Sequence, residues 1–309
     1  MKGSPIDWLV YGMLRAVIGV LGLMSWERAG RLGARIGALG YRPLGIRRRV
    51  VETQIAESFP ELPPAEVRRI ARGAYENLGR LTVETALLPK LHTEDVLALL
   101  DHIEGREHMD RARSQGGFIF VTGHLGNWEF CGAVAAALGV PLDAVARKIA
   151  NPLVHDYVTR TRQALGISIV FDRQAVRRTP RALKEGRAVA FLADQSLLKS
   201  ASVWVPFFGR LAKTPRGPAT FALRQGVPML FGAVIRKPNG KFIGIVEPIP
   251  VEDTGDADRD VERIVAHYTR VLENCVRRAP EQYFWHHRRW KRSPPTRDDA
   301  SDDDESETE

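Results

Sequence analysis

Residues 121–130 read VTGHLGNWEF, and His124 and Glu129 are the pair in this stretch whose types could do chemistry. An imidazole can take the proton of an attacking hydroxyl, and a nearby carboxylate can hold the ring in one tautomer and stabilise its protonated form. On a single helix an offset of five residues turns two side chains about 140° apart, so they could not share a face. The spacing therefore puts His124 in a loop, flanked by Gly123 and Gly126, and Glu129 in the first turn of a helix capped by Asn127. There the helix dipole favours a carboxylate, and spare N–H groups of the loop or helix start could stabilise an oxyanion. No Ser or Cys nucleophile is needed if an acceptor hydroxyl attacks directly. The H-E-x-x-H pattern is absent and no second histidine lies nearby in sequence, so a zinc site is disfavoured; no metal and no cofactor are expected.

The elements that must position this pair follow from hydropathy. The runs GFIFV (117–121), DAVAR (143–147), ISIVF (167–171) and AVAFLAD (188–194) are short and nearly all apolar. Helical stretches lie between them at about 127–138, 152–165 and 177–186. Apolar strands alternating with helices predict an α/β fold with a largely parallel central sheet flanked by helices, and such sheets bind ligands beyond the carboxyl ends of their strands. His124, Arg147 and Asp194 all fall at such ends. Residues 53–91 read as helices with a turn at SFPELPPAE, and PMLFGAVIRKPNGKFIGIVEPI reads as two strands joined at Asn239-Gly240. A long helix at about 257–278 and a shorter one near 281–290 close the fold.

The N-terminus carries an apolar segment, residues 6–26, interrupted by Asp7 and Arg15. Its longest clean run, Ala16 to Ser25, is well short of the roughly 20 residues a spanning helix needs. Arg28, Arg31 and Arg35 recur at helical spacing beside Leu32, Ile36 and Leu39, the pattern of a helix lying on anionic lipid. The fold class thus includes an N-terminal membrane-associated helix. The 309 residues are 44% apolar, ample for a core, with 45 Lys and Arg against 37 Asp and Glu. Eight of the acids sit in the last twelve residues, DDASDDDESETE, so residues 1–297 carry 45 basic against 29 acidic residues, a net of +16. That body should attract anionic partners. Cys131 and Cys275 form no framework and read as reduced, buried apolar residues.

The block GHLGNWE resembles the first motif of the bacterial lipid A biosynthesis acyltransferase family, the late lauroyl and myristoyl transferases, within the larger lysophospholipid acyltransferase superfamily. FPEL (59–62), ARKIANP (146–152), LADQ (192–195), VPFFGR (205–210) and YFWHHRRWK (283–291) follow in the order of that family. The resemblance implies transfer of a fatty acyl group from an acyl carrier protein thioester to a hydroxyl of a lipid A precursor of the Kdo-lipid IVA type. His124 would be the general base and Glu129 its partner. Asn127, Arg147, Asp194 and Gln195 would bind substrate, with Arg147 meeting phosphate or sugar. WVPFFG (204–209) is apolar enough to wall an acyl groove, and Arg288, Arg289, Lys291 and Arg292 among Trp285 and Trp290 could contact lipid phosphates or an acidic carrier.

The expected organisation is an interfacial anchor helix over 1–26, an acyltransferase domain over 27–297 and a disordered acidic tail over 298–309. The expected place is the cytoplasmic face of the inner membrane, on an anionic surface, as a peripheral or monotopic protein. The family motifs serve a shared ester chemistry, so a phosphatidylinositol mannoside or a lysophospholipid is an alternative acceptor. A nucleic-acid partner is not expected, because no recognisable module accompanies the charge and the basic residues flank apolar segments. A catalytically dead membrane scaffold is disfavoured by the intact His124 and Glu129.

Overall fold

A computed structural model describes residues 3–195 and 201–291. The proposed tail over 298–309 and Arg292 lie outside them.

Four helices precede the sheet. Ser4 caps α1 (Pro5–Leu21) through a reciprocal box with Asp7, and Ser25 caps α2 (Trp26–Tyr41). Next come α3 (Arg48–Ser58) and α4 (Pro64–Leu87), whose first turn begins at a proline that needs no N–H there. The contact of α2 with α4 runs backbone to backbone. A Cβ on Gly33 would meet the Gly79 carbonyl at 2.5 Å, and one on Gly37 would collide with the carbonyl of Tyr75.

The alternating part then runs α5 (Thr93–Leu99), β1 (Leu100–Glu104), α6 (Arg106–Ser114), β2 (Phe118–Thr122), α7 (Trp128–Ala137), β3 (Leu142–Ala146), α8 (Pro152–Ala164), β4 (Ile167–Phe171), α9 (Asp172–Lys184) and β5 (Ala188–Leu192). After these come a separate two-stranded ribbon, β6 (Ser202–Phe207) and β7 (Arg210–Pro215), then α10 (Gly217–Gln225), the hairpin β8 (Met229–Arg236) and β9 (Phe242–Ile249), and α11 (Ala257–Arg278).

The main sheet has the order β1-β9-β8-β2-β5-β3-β4. Its pairs are parallel except β8 with β9, so the largely parallel sheet read from hydropathy is present, with a reversed pair of strands at one edge. β2 shows why its sequence lacks alternation. Phe118 and Phe120 enter the core on one face while Ile119 and Val121 enter the core on the other. Helix α11 covers the second core with Val261, Ile264, Val265, Tyr268, Val271 and Leu272, a stripe at helical period.

Three of the differences from the sequence reading bear on how the site is framed. Residues 281–290 form a 3-10 turn at Pro280–Gln282 followed by irregular chain, not a helix. Their backbone groups are taken by neighbours: Phe284 N–H donates to the His124 carbonyl, and Gln54 binds the carbonyls of Trp285 and His287 and the N–H of Arg289. Helix α9 begins five residues earlier than its pattern suggested. Strand β1 is an edge strand with exposed polar residues, so no apolar run announces it.

No helix among the described residues is long and apolar enough to cross a membrane. α1 nevertheless presents Ile6, Leu9, Met13, Val17 and Val20 outward, each more than half exposed, and buries only Ile18 and Leu21. Its polar attachments run to α8, where Asn151 donates to the Asp7 carbonyl and Arg15 lies over the Tyr157 ring.

Candidate active site

Strands β2 and β5 are parallel neighbours, with Thr122 opposite Leu192. Two residues beyond each register partner come His124 and Asp194. Asp194 Oδ1 lies 2.6 Å from His124 Nδ1, and its Oδ2 accepts the backbone N–H of the same residue at 2.8 Å. The loop that carries His124 turns at Gly126, whose φ of 62° is in the left-handed region and where a Cβ would collide with the Val234 carbonyl.

The loop is held from below. Gly126 N–H donates to the Gln282 carbonyl, and Gln282 exchanges two hydrogen bonds with the backbone of Arg236. Asn127 caps α7 as its type suggests, accepting from Phe130 N–H at 2.9 Å. Its amide nitrogen donates to buried Glu84, which also pairs with Arg236. Trp128 and Phe284 flank the imidazole, with ring centroids 4.8 and 5.9 Å away.

The expected partnership of His124 with Glu129 is corrected by this geometry. The imidazole hydrogen-bonds Asp194, whereas Glu129, in the first turn of α7, takes a bidentate clasp from Arg162 of α8 at 3.0 and 2.5 Å. Asp194 arrives on the neighbouring strand, and the first turn of α7 faces α8. Glu129 acts on the ring only through its charge. The loop N–H groups are also committed: those of His124, Leu125, Gly126 and Asn127 go to Asp194, Gly123, Gln282 and Val234. Asn127, expected to bind substrate, is buried with its amide turned to Glu84.

Burial alone would push the His124 pKa down. The Asp194 carboxylate, through its charge and its hydrogen bond, and the more distant Glu129 outweigh burial and raise it. Burial likewise opposes ionisation of Asp194, but His124 holds this carboxyl at about 2. Asp194 is therefore an ionised, almost fully buried acid stabilised by the ring and the backbone N–H of His124.

A cavity of about 610 Å³ opens at the ends of β2, β5 and β3. His124, Glu129, Arg162, Gln195 and His287 line it, and Arg147 stands at its rim one residue beyond β3. Gln195 Nε2 sits 3.4 Å from both ring nitrogens of His124. The lining contributed by α7 and the sheet strands is apolar, and we call this part, which includes Cys131, Gly132, Ala135, Ala144, Ile167 and Ala190, the apolar lobe. The WVPFFG run is not this wall: Phe207 and Phe208 are buried in the core against Tyr283, Trp285 and Trp290. The basic C-terminal cluster is divided, because Arg289 is buried, donating to the Lys213 carbonyl and Thr214 hydroxyl, while Arg288 stays exposed.

Three features of the site escaped the sequence reading. Arg162 and Glu129 are 33 residues apart and give no local pattern. His287 sits in the YFWHHRRWK block, where the surrounding cations and tryptophans are the stronger signal. Glu84 did leave a signal, a lone acid on the buried face of α4 beside Leu81, Val83 and Leu87.

The family model for bacterial lipid A biosynthesis acyltransferases matches residues 3–292. The lipid A biosynthesis lauroyltransferase of Escherichia coli (strain K12) is 28% identical over 94% of this chain and 92% of that enzyme. The palmitoleoyltransferase of the same strain is 30% identical over 85% of each. A phosphatidylinositol mannoside acyltransferase of Mycobacterium tuberculosis is 27% identical over 55% of each. The chain belongs to the bacterial lipid A biosynthesis acyltransferase family, and it is an acyltransferase with a lipid A-type or other glycolipid acceptor.

Proposed function

We propose that this enzyme moves a fatty acyl chain from an acyl carrier protein thioester to a hydroxyl of a lipid A precursor, with His124 as general base and Asp194 as the group that orients it. The observation that carries this reading is the part-buried His124–Asp194 pair, whose imidazole lines a largely apolar cavity. Neutral His124 donates Nδ1–H to Asp194, which leaves the Nε2 lone pair for the acceptor hydroxyl. As Nε2 takes the hydroxyl proton, the oxygen bonds the thioester carbonyl carbon and the carbonyl electron pair moves onto its oxygen. Collapse re-forms the carbonyl and breaks the C–S bond, and the departing thiolate receives the proton from Nε2. Asp194 stays ionised throughout and stabilises the transient imidazolium.

The lobe beneath α7 suits the hydrocarbon chain, being walled by small apolar residues. Arg147 at the rim suits a phosphate or sugar of the acceptor, and the +16 body suits an acidic carrier and an anionic membrane. Glu129, rather than touching the base, sets the position of Arg162 in the cavity wall. The outward apolar face of α1 is the surface we assign to the bilayer interface, with the enzyme on the cytoplasmic face of the inner membrane. A mannosylated phosphatidylinositol is the second reading of the acceptor, favoured by the M. tuberculosis relative.

Mass spectrometry of products from lauroyl carrier protein tests the reading, offering a Kdo-bearing lipid A precursor and a mannosylated phosphatidylinositol separately to the wild type and His124→Ala. Acylation of the first alone, lost in the variant, is expected. Acylation of the second alone keeps the chemistry and changes the pathway. The anchor is tested by flotation with anionic vesicles: Leu9→Glu with Met13→Glu should leave the protein in the soluble fraction, and unchanged flotation would sink the assignment.

A further inference from the structure

Acyl transfer puts a negative charge on the former carbonyl oxygen, and that charge needs a donor already aimed at it. The loop around His124 does not offer one from residues 124 to 127, since all four of those N–H groups are bonded within the protein. His287 has what the loop lacks. Its side chain lines the same cavity as His124 and Gln195, and its Nε2 is a buried polar atom with no hydrogen-bond partner in the protein. Buried polar nitrogens are usually paired, so what singles out His287 among the unpaired ones is that its residue also lines the cavity of His124 and leaves a donor to spare there.

Resting on the acyl-transfer reading above, we propose that His287 is a catalytic residue whose Nε2–H donates a hydrogen bond to the oxyanion of the tetrahedral intermediate. It transfers no proton, so the proton of the acceptor hydroxyl still travels through His124 to the thiolate.

The surroundings fit a neutral donor and hold it in place. Burial first, then the neighbouring charges of Arg289, His124 and Arg47, push the His287 pKa down against the opposing pull of Asp194. A neutral ring does not compete with His124 for the carboxylate, and it does not add a second cation beside the imidazolium that forms during turnover. The backbone is fixed on both sides: His287 N–H donates to the Phe284 carbonyl, and its own carbonyl accepts from Gln54. Phe284 N–H in turn donates to the His124 carbonyl, so one short segment, residues 284–287, ties the proposed donor to the base. With His287 Nε2 beside the ring of His124, the two imidazoles divide the work between proton transfer and charge stabilisation.

The test compares wild type with His287→Ala, His287→Leu and His287→Gln, using lauroyl carrier protein and the glycolipid that the wild type accepts. Melting temperatures identify folded variants. Removing the donor should lower kcat by about 10² to 10³-fold, the usual loss for one oxyanion donor, with KM within about threefold. Gln, which can offer an N–H, should recover about tenfold over Leu or Ala. Inhibition separates charge stabilisation from packing. A tetrahedral, anionic dodecylphosphonothioate of pantetheine should lose about 10²-fold affinity in the Leu and Ala variants, while the planar dodecanoyl amide of aminopantetheine should bind as before. If Ala does not fold, the Leu and Gln pair carries the same comparison. Folded variants with kcat within threefold of wild type, or Gln no better than Leu with phosphonothioate affinity unchanged, would overturn the assignment and leave the oxyanion to the first-turn amides of α7. A wild type that transfers no acyl group from the thioester to either glycolipid would overturn the underlying reading, and this assignment with it.

Discussion

Two carboxylates sit near His124, and they have opposite histories. Glu129 is five residues from His124 in sequence and binds an arginine; Asp194 is seventy residues away and binds the imidazole. Their surroundings differ as well. Asp194 is almost wholly buried and accepts two hydrogen bonds from one residue, whereas Glu129 faces the cavity with its clasp to Arg162 partly open to solvent. The difference shows that in a parallel sheet the end of the adjacent strand is a nearer neighbour than the next turn of chain. Thr122 and Leu192 are register partners, so residues two steps beyond them meet.

The comparison breaks most visibly at Asp194. Asp194→Asn should lower kcat about 10³ to 10⁴-fold while the protein stays folded, because the ring loses both its tautomer and its counter-charge. In the proposed mechanism the His124 ring must be neutral to act, and Asp194 raises its pKa, so wild-type kcat/KM should rise with pH through a midpoint above the ordinary 6.5. In the variant that midpoint should move to lower pH. A residual rate within tenfold of wild type, with an unmoved midpoint, would place the orienting group elsewhere.

Glu129→Gln should cost less, about 10 to 10²-fold and mainly in KM, by releasing Arg162 in the cavity wall. The double-mutant cycle with Arg162→Gln should give a coupling of about 1–3 kcal/mol for this charged pair. Additive effects of the two would show that the clasp is incidental. A loss from Glu129→Gln as large as that from Asp194→Asn would erase the distinction between the two acids.

Away from the acids, Gly132→Leu should shorten the preferred acyl chain, because a Cβ at Gly132 already stands 3.1 Å from Ile167 Cδ1. Each methylene left outside the lobe should cost about 0.8 kcal/mol, roughly fourfold in kcat/KM, as read from competition among donors of 10 to 16 carbons. An unchanged product profile would move the chain out of this lobe.

The smallest effect concerns stability. His124, with its pKa raised, contributes stability that is present below its unfolded value near 6.5 and lost as pH rises through the folded value. Asp194, held at about 2, contributes stability that is present above the ordinary 3.8 and lost as pH falls toward 2. The gap in melting temperature between wild type and Asp194→Asn should therefore be widest between pH 4 and 6.5 and narrow on either side.

Much of the framework was legible because it depends on local, periodic burial. Strands β2, β3, β4 and β5 appeared as nearly all-apolar runs, α11 as a long helix at about 257–278, and the β8–β9 hairpin as an Asn-Gly turn. The placing of His124 in a loop and Asn127 at the helix cap were legible for the same reason, since backbone geometry at a strand-to-helix turn is set by the residues within it. The edge strand β1 and the irregular segment after Gln282 were not, because what stabilises them lies on other elements.

The amino-acid order by itself determined that an imidazole stands at the carboxyl end of a buried strand with acids and arginines at neighbouring ends, because hydropathy dictates where each strand stops. Only the tertiary structure decided which acid holds the imidazole, which arginine takes Glu129, and that Asn127 turns inward to Glu84. Strand order and register are set by packing across the whole sheet, and a hydrogen bond between side chains seventy residues apart depends on that order.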